Sequence, residues 1–117
     1  MKIQTIKELL DARVLCGEDK LDGEVHSACG CDMMSDVLAF VKDQAVLLTG
    51  LCNPQVVRTA MMMDMRCIVF VRGKAPTPDI ISLADDAGIV VMATEERMYV
   101  ACGTLYSNGL HGGACHE

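Results

Sequence analysis

Ala45-Val46-Leu47-Leu48-Thr49-Gly50-Leu51-Cys52-Asn53-Pro54 is the stretch whose reading decides the fold. Its nearly unbroken apolar run, closed by glycine, reads as a strand covered on both faces. Asn53 and Pro54 then open a helix, the asparagine as N-cap and the proline at the first helical position, and the helix is expected to run to about Met65. The unit recurs downstream. Cys67-Ile68-Val69-Phe70-Val71 is a second buried strand, after which Pro76-Thr77-Pro78 opens a helix with Thr77 as cap and Gly88 stops it. Ile89-Val90-Val91-Met92 is a third strand, and Thr94-Glu95-Glu96-Arg97 is read as the start of the last helix. The three strands begin at intervals of 22 residues. Each interval holds a strand, a helix and two short loops, the βαβ rhythm of a parallel sheet with right-handed crossovers.

Working back from this core, residues 33–41 carry apolar side chains at Met33, Met34, Val37, Leu38 and Val41, a helical spacing. Glu24 to Cys29 is expected as a strand, and so is Arg13 to Cys16, with the polar turn Gly17-Glu18-Asp19-Lys20 after it. Thr5-Ile6-Lys7-Glu8 matches a capping box that opens a helix with Ile6, Leu9 and Leu10 on one face, ending near Ala12. The expectation is one α/β domain over residues 1–110, a small, mainly parallel sheet flanked by helices. Residues 111–117 are expected to form a flexible Gly/His/Cys tail.

Composition narrows the function. The chain has 117 residues, 51% hydrophobic and 22% charged, enough to close one core. A net charge of −6 and 3% aromatic residues argue against nucleic acid and against an anionic membrane as partners. The N-terminus lacks an apolar signal region, and no apolar run approaches the roughly 20 residues of a membrane span, so a cytoplasmic location is expected. Seven cysteines, an odd number, point to free thiols in a reducing compartment, with Cys16, Cys67 and Cys102 as small hydrophobes.

Ligands of open parallel sheets bind at the carboxyl ends of the strands. Those ends carry Thr49, Gly50 and Asn53, then Arg72, Gly73 and Lys74, then Thr94. The functional reading is a seat for a small anion or a nucleotide phosphate, using helix-start amides and two cations. The plain reading is that Asn53 caps a helix and that Arg72 and Lys74 are solvated loop charges. Asp32, Ser35 and Asp36 suit the start of the helix near Met33 as caps and a first-turn carboxylate. Cys29 and Cys31, which share one side of a strand while His26 takes the other, could join His111, Cys115 and His116 in a tetrahedral zinc or iron site, so the alternative reading is a metal-binding or redox-responsive protein. The competing expectation is no cofactor, with the tail as a frayed terminus. Phosphate-binding and dinucleotide glycine motifs are missing, as is a nucleophile elbow. Cys52, before a capped helix, is the best candidate nucleophile, but no histidine lies near it in sequence. Catalysis is therefore not expected. Of Met61, Met62 and Met63, at least one must leave the core on a helix.

Leu21-Asp22-Gly23-Glu24-Val25-His26 and Gly30-Cys31-Asp32-Met33-Met34-Ser35-Asp36-Val37-Leu38-Ala39 resemble the DRTGG domain family. Leu48-Thr49-Gly50, Asn53-Pro54, Val69 to Lys74 and Gly88-Ile89 extend the likeness over nearly the whole chain. Gly23 stands where the family usually has arginine, and Ser27-Ala28 replace its paired glycines, whereas Asp32, Ser35 and Asp36 of the signature are kept. The resemblance implies a fold like the N-terminal domain of HPr kinase/phosphorylase, without the kinase domain. It implies a regulatory, dimerising module of the kind found with phosphotransacetylase domains or between CBS domains in regulated pyrophosphatases, associated with adenine-nucleotide sensing. For stand-alone members it implies a hydrogenase or redox setting in anaerobes, and hence a redox- or hydrogenase-related protein as partner.

Overall fold

The computed structural model describes residues 1–40 and 45–112. Along the chain they form α1 (Ile3–Leu9), β1 (Arg13–Cys16), a 3-10 turn (Glu18–Lys20), β2 (Ser27–Gly30) and α2 (Met34–Phe40). The regular half follows as β3 (Ala45–Thr49), α3 (Pro54–Met62), β4 (Cys67–Phe70), α4 (Pro78–Asp86), β5 (Val90–Ala93) and α5 (Met98–Ser107). The five strands make one sheet in the order β1-β5-β4-β3-β2. Strands β2 to β5 are parallel, and β1 joins antiparallel at the β5 edge. This is the small, mainly parallel sheet between helices that the sequence predicts.

The three crossovers β2-α2-β3, β3-α3-β4 and β4-α4-β5 all step in the same direction. Right-handed crossovers that step one way place their helices on one face. Accordingly Val37, Val56, Val57, Ala60, Ile80 and Ala84 pack there against Leu47, Ile68, Phe70 and Val91. The opposite face is covered by the first and last helices. Ile3, Ile6 and Leu10 join Ala101 and Leu105 over Val46, Leu48, Val69 and Met92. Alternate residues of each central strand thus enter different cores, which is why these strands are apolar throughout. In β1 the register shifts between Val14 and Cys16, so Leu15 and Cys16 both lie on the α2–α4 side.

Several boundaries differ from expectation. Helix α1 begins at Ile3, not Thr5, because the amides of Ile3 and Gln4 donate to Gly23 and Leu21 carbonyls, leaving no need for a side-chain cap. It ends at Leu9. The strand predicted from Glu24 starts at Ser27, Glu24 making only an isolated bridge to Lys2. Helix α3 stops at Met62, where Met61 and Met62 are exposed. Thr77 occupies the cap position of α4 without a side-chain cap bond. The third strand is displaced by one residue, and α5 starts at Met98 rather than at Thr94. Met33 is exposed ahead of α2, and Val41, expected in that helix, lies outside the described residues.

Thr94 explains the late start of α5. Its hydroxyl is buried and donates to the Leu10 carbonyl at 2.7 Å, tying β5 to the end of α1, and accepts from the Glu96 amide at 3.2 Å. Replacing it by valine strands a buried carbonyl, and a loss of roughly 1–3 kcal/mol in urea unfolding is expected. Thr104→Val, which removes an exposed hydroxyl bonded within α5, is the control and should change stability far less.

Candidate functional site

At the carboxyl ends of the strands the chain divides. The connection after β4 enters α4 on one face, whereas that after β5 enters α5 on the other. Connections that part in this way open a crevice beyond the strand ends. Antiparallel β1 begins at the same edge, with Arg13 opposite Ala93. A hollow of about 200 Å³ lies there, lined by Asp11, Arg13, Gly73, Ala93, Thr94 and Glu95. Larger hollows of about 670 Å³ along α5 and about 370 Å³ at the opposite end of the sheet lie away from these strand ends.

The polar centre of the edge is Asp32, in the loop leaving β2. Its Oδ1 accepts from the Thr49 hydroxyl at 2.9 Å and from the Gly50 amide at 2.8 Å. Its Oδ2 stands 3.9 Å from an Arg72 guanidinium nitrogen. This corrects the reading of Asp32 as a helix cap: the carboxylate binds across the sheet, to β3 and the β4 loop. The Gly50 amide bond holds its carboxyl below the usual range, against burial, with the Thr49 hydroxyl and Arg72 adding to the effect. Ser35 and Asp36 are exposed at the start of α2.

Arg72 lies directly over Gly50. A Cβ on Gly50 would run into the guanidinium, so glycine is what lets this side chain rest on the backbone. Arg72 itself adopts φ +62°, a left-handed conformation that costs a non-glycine residue about 1 kcal/mol. It is held there by its amide, which donates to the Glu96 carbonyl at 2.7 Å, and Gly73 follows at φ +69° with its amide on the Thr94 carbonyl. The strand-end backbone is thus rigid, while the Arg72 head remains about half exposed. Lys74 is exposed beside it.

The remaining predicted residues divide. Asn53 caps α3, its Oδ1 accepting from the Gln55 amide at 2.9 Å, and the Val56 amide is taken by the Asn53 carbonyl. These helix-start donors are occupied by the cap, as the Thr49 hydroxyl and the Gly50 amide are by Asp32, and the half-exposed Arg72 head and Lys74 are the exposed cations beside them. Thr94 is committed to Leu10. Burial raises the Cys52 thiol above its usual range, although Lys74 and Arg72 oppose the shift. Cys29 and Cys31 pack on the α2–α4 side, as their spacing predicts, and burial pushes the Cys29 thiol up to about 11. Among the described residues no three His, Cys, Asp or Glu groups come together as metal ligands. His111 stacks on Tyr106 and its carbonyl accepts from the Ala28 amide, while Cys115 and His116 lie outside the described residues. Glu95 lies in the strand-end segment Ala93-Thr94-Glu95 that the sequence marks, whereas sequence reasoning missed Asp11 and Arg13, whose only signal is position beside a strand terminus, visible once β1 is known to run antiparallel.

A carboxyl depressed by folding stabilises the fold above its unfolded pKa and loses that contribution as pH falls through the folded value. For Asp32 the loss begins near pH 3.8 and continues below it. Acid unfolding should therefore show a step in the wild-type chain below about pH 4 that Asp32→Asn lacks. Equal slopes for the two proteins between pH 5 and pH 2 would contradict the assignment.

Comparison with known proteins agrees with the fold. No curated protein sequence matches the chain significantly. Among solved structures, the CBS and DRTGG domains of the regulatory region of Clostridium perfringens pyrophosphatase, complexed with the activator diadenosine tetraphosphate, match with a TM-score of 0.70 at 17% identity. The match takes in 89% of this chain and 45% of that one, so this chain spans less than half of its length. At such identity the likeness is one of fold. The sequence pattern of the DRTGG domain matches residues 5–105, and the chain belongs to the DRTGG domain family.

Proposed function

We propose that this chain is a cytoplasmic regulatory module that binds an adenine-nucleotide-like ligand by its phosphates at the strand-end crevice and passes the signal to a partner protein. The setting that fits its thiol-rich composition is anaerobic redox or carbon metabolism, with a redox- or hydrogenase-related protein as partner. The observation that carries the reading is that the Gly50 amide, the Thr49 hydroxyl and the half-exposed Arg72 head converge on one carboxylate at the sheet edge, with Lys74 exposed two residues beyond Arg72. Guanidinium, ammonium and main-chain amide are the groups that recognise phosphate. Membership of the DRTGG family supports it, as does a structural neighbour described with a dinucleoside polyphosphate activator. Burial raises the Cys52 thiol against the pull of Lys74 and Arg72, the opposite of what an activated thiolate nucleophile needs. Calorimetric titration with AMP, ATP and diadenosine polyphosphates tests the reading. Heat from at least one is expected, reduced by Arg72→Met; no heat from any would refute it.

A homodimer through the outer face of α5 completes the proposal. Tyr99, Val100 and Tyr106 are exposed there around Gly103, and residues 98–110 carry no charge in a chain of net charge −6. Two acidic molecules meet most easily where neither presents charge. Sedimentation should find a dimer that Val100→Glu splits, and a monomeric wild-type chain at high concentration would refute this part.

A further inference from the structure

The groups proposed to hold a phosphate are already engaged by an anion, and that anion belongs to the chain. One Asp32 oxygen receives the Thr49 hydroxyl and the Gly50 amide at 2.9 and 2.8 Å, and the other faces Arg72 at 3.9 Å. A hydroxyl, a main-chain N–H and a guanidinium converging on two oxygens form the donor set of an oxyanion site, and carboxylate and phosphate present closely similar oxygen pairs. The donors belong to the sheet edge. Thr49 is buried at the end of β3, the Arg72 backbone is held by its amide's hydrogen bond to the Glu96 carbonyl, and Gly50 leaves room for the guanidinium above it. Asp32 lies outside the strands, in the loop between β2 and α2, and its side chain is half exposed. Turning it outward leaves the donors in place for another anion.

We propose that Asp32 is an internal counter-anion that occupies the phosphate seat formed by Thr49, Gly50 and Arg72, and that a phosphate-bearing ligand binds by displacing it. This rests on the strand-end reading of function and adds its regulation. Asp32 sets the threshold of the site, because a ligand must outcompete a carboxylate that is always present. Selectivity follows from charge. A carboxylate or a monoanion gains little over Asp32, whereas a pyrophosphate group brings more negative charge to Arg72 and Lys74. The displaced carboxylate also frees the loop that leads into α2, which links occupancy to the position of that helix.

The test follows the Gly50 amide by NMR during titration with inorganic pyrophosphate and with ATP. Wild type, Asp32→Asn, Asp32→Ala and each of these combined with Arg72→Met are compared. Asp32→Asn keeps an acceptor for Thr49 and Gly50 while removing the charge, so it preserves the fold. Removing the competing charge should tighten pyrophosphate binding roughly tenfold in both single variants, and Arg72→Met should abolish the gain. Wild-type binding that is unchanged or weakened by both Asp32 substitutions overturns the displacement and leaves the strand-end site standing. A Gly50 amide that responds in no variant, Asp32→Ala included, overturns the site as well.

Discussion

A parallel sheet has to be covered on both faces, and this chain meets that requirement with connections that all step one way. Three successive right-handed crossovers place α2, α3 and α4 on a single side. The other face of β3, β4 and β5 would be left in water unless the ends of the chain returned to it, and α1 and α5 do so. That return has a local effect. The connection leaving β5 must turn away from the one leaving β4, and the backbone parts at the strand ends. The parting of the backbone at the strand ends follows from covering the sheet with too few crossovers to do it alone.

What the sequence makes legible is whatever is decided within a few residues. The cap at Asn53 and Pro54 forms as its chemistry dictates, because acceptor and amide lie two residues apart. The three apolar strands are recognisable because burial on both faces leaves no alternation to misread. Thr5 and Glu8 have equally good local chemistry, yet the helix starts earlier, since carbonyls from residues 21 and 23 supply the acceptors for its first turn. Thr94 misleads in the same way: a hydroxyl suited to capping is captured by a carbonyl 84 residues distant. Local rules fail where a distant backbone group offers a better bond.

The site is split along the same line. Arg72, Gly50 and Thr49 are visible as residues at strand ends, which is a property of topology that periodicity reveals. The partnership of Asp32 with them is not, because 17 and 18 residues separate the carboxylate from its two hydrogen-bond donors and nothing in its neighbourhood distinguishes it from an ordinary cap. Its place in the family signature points to the segment without saying which atoms it meets.

The amino group of Met1 donates to the Val25 carbonyl at 2.8 Å, and the His111 carbonyl accepts from the Ala28 amide at 2.9 Å. First and last helices also lie side by side on one face. Entry and exit of the fold are therefore anchored on the same short segment, like the two ends of a plug. A unit of this shape can be spliced into a loop of a larger chain without forcing the host's flanking elements apart. Both anchors lie around the start of β2, at the opposite end of that strand from the Asp32 loop.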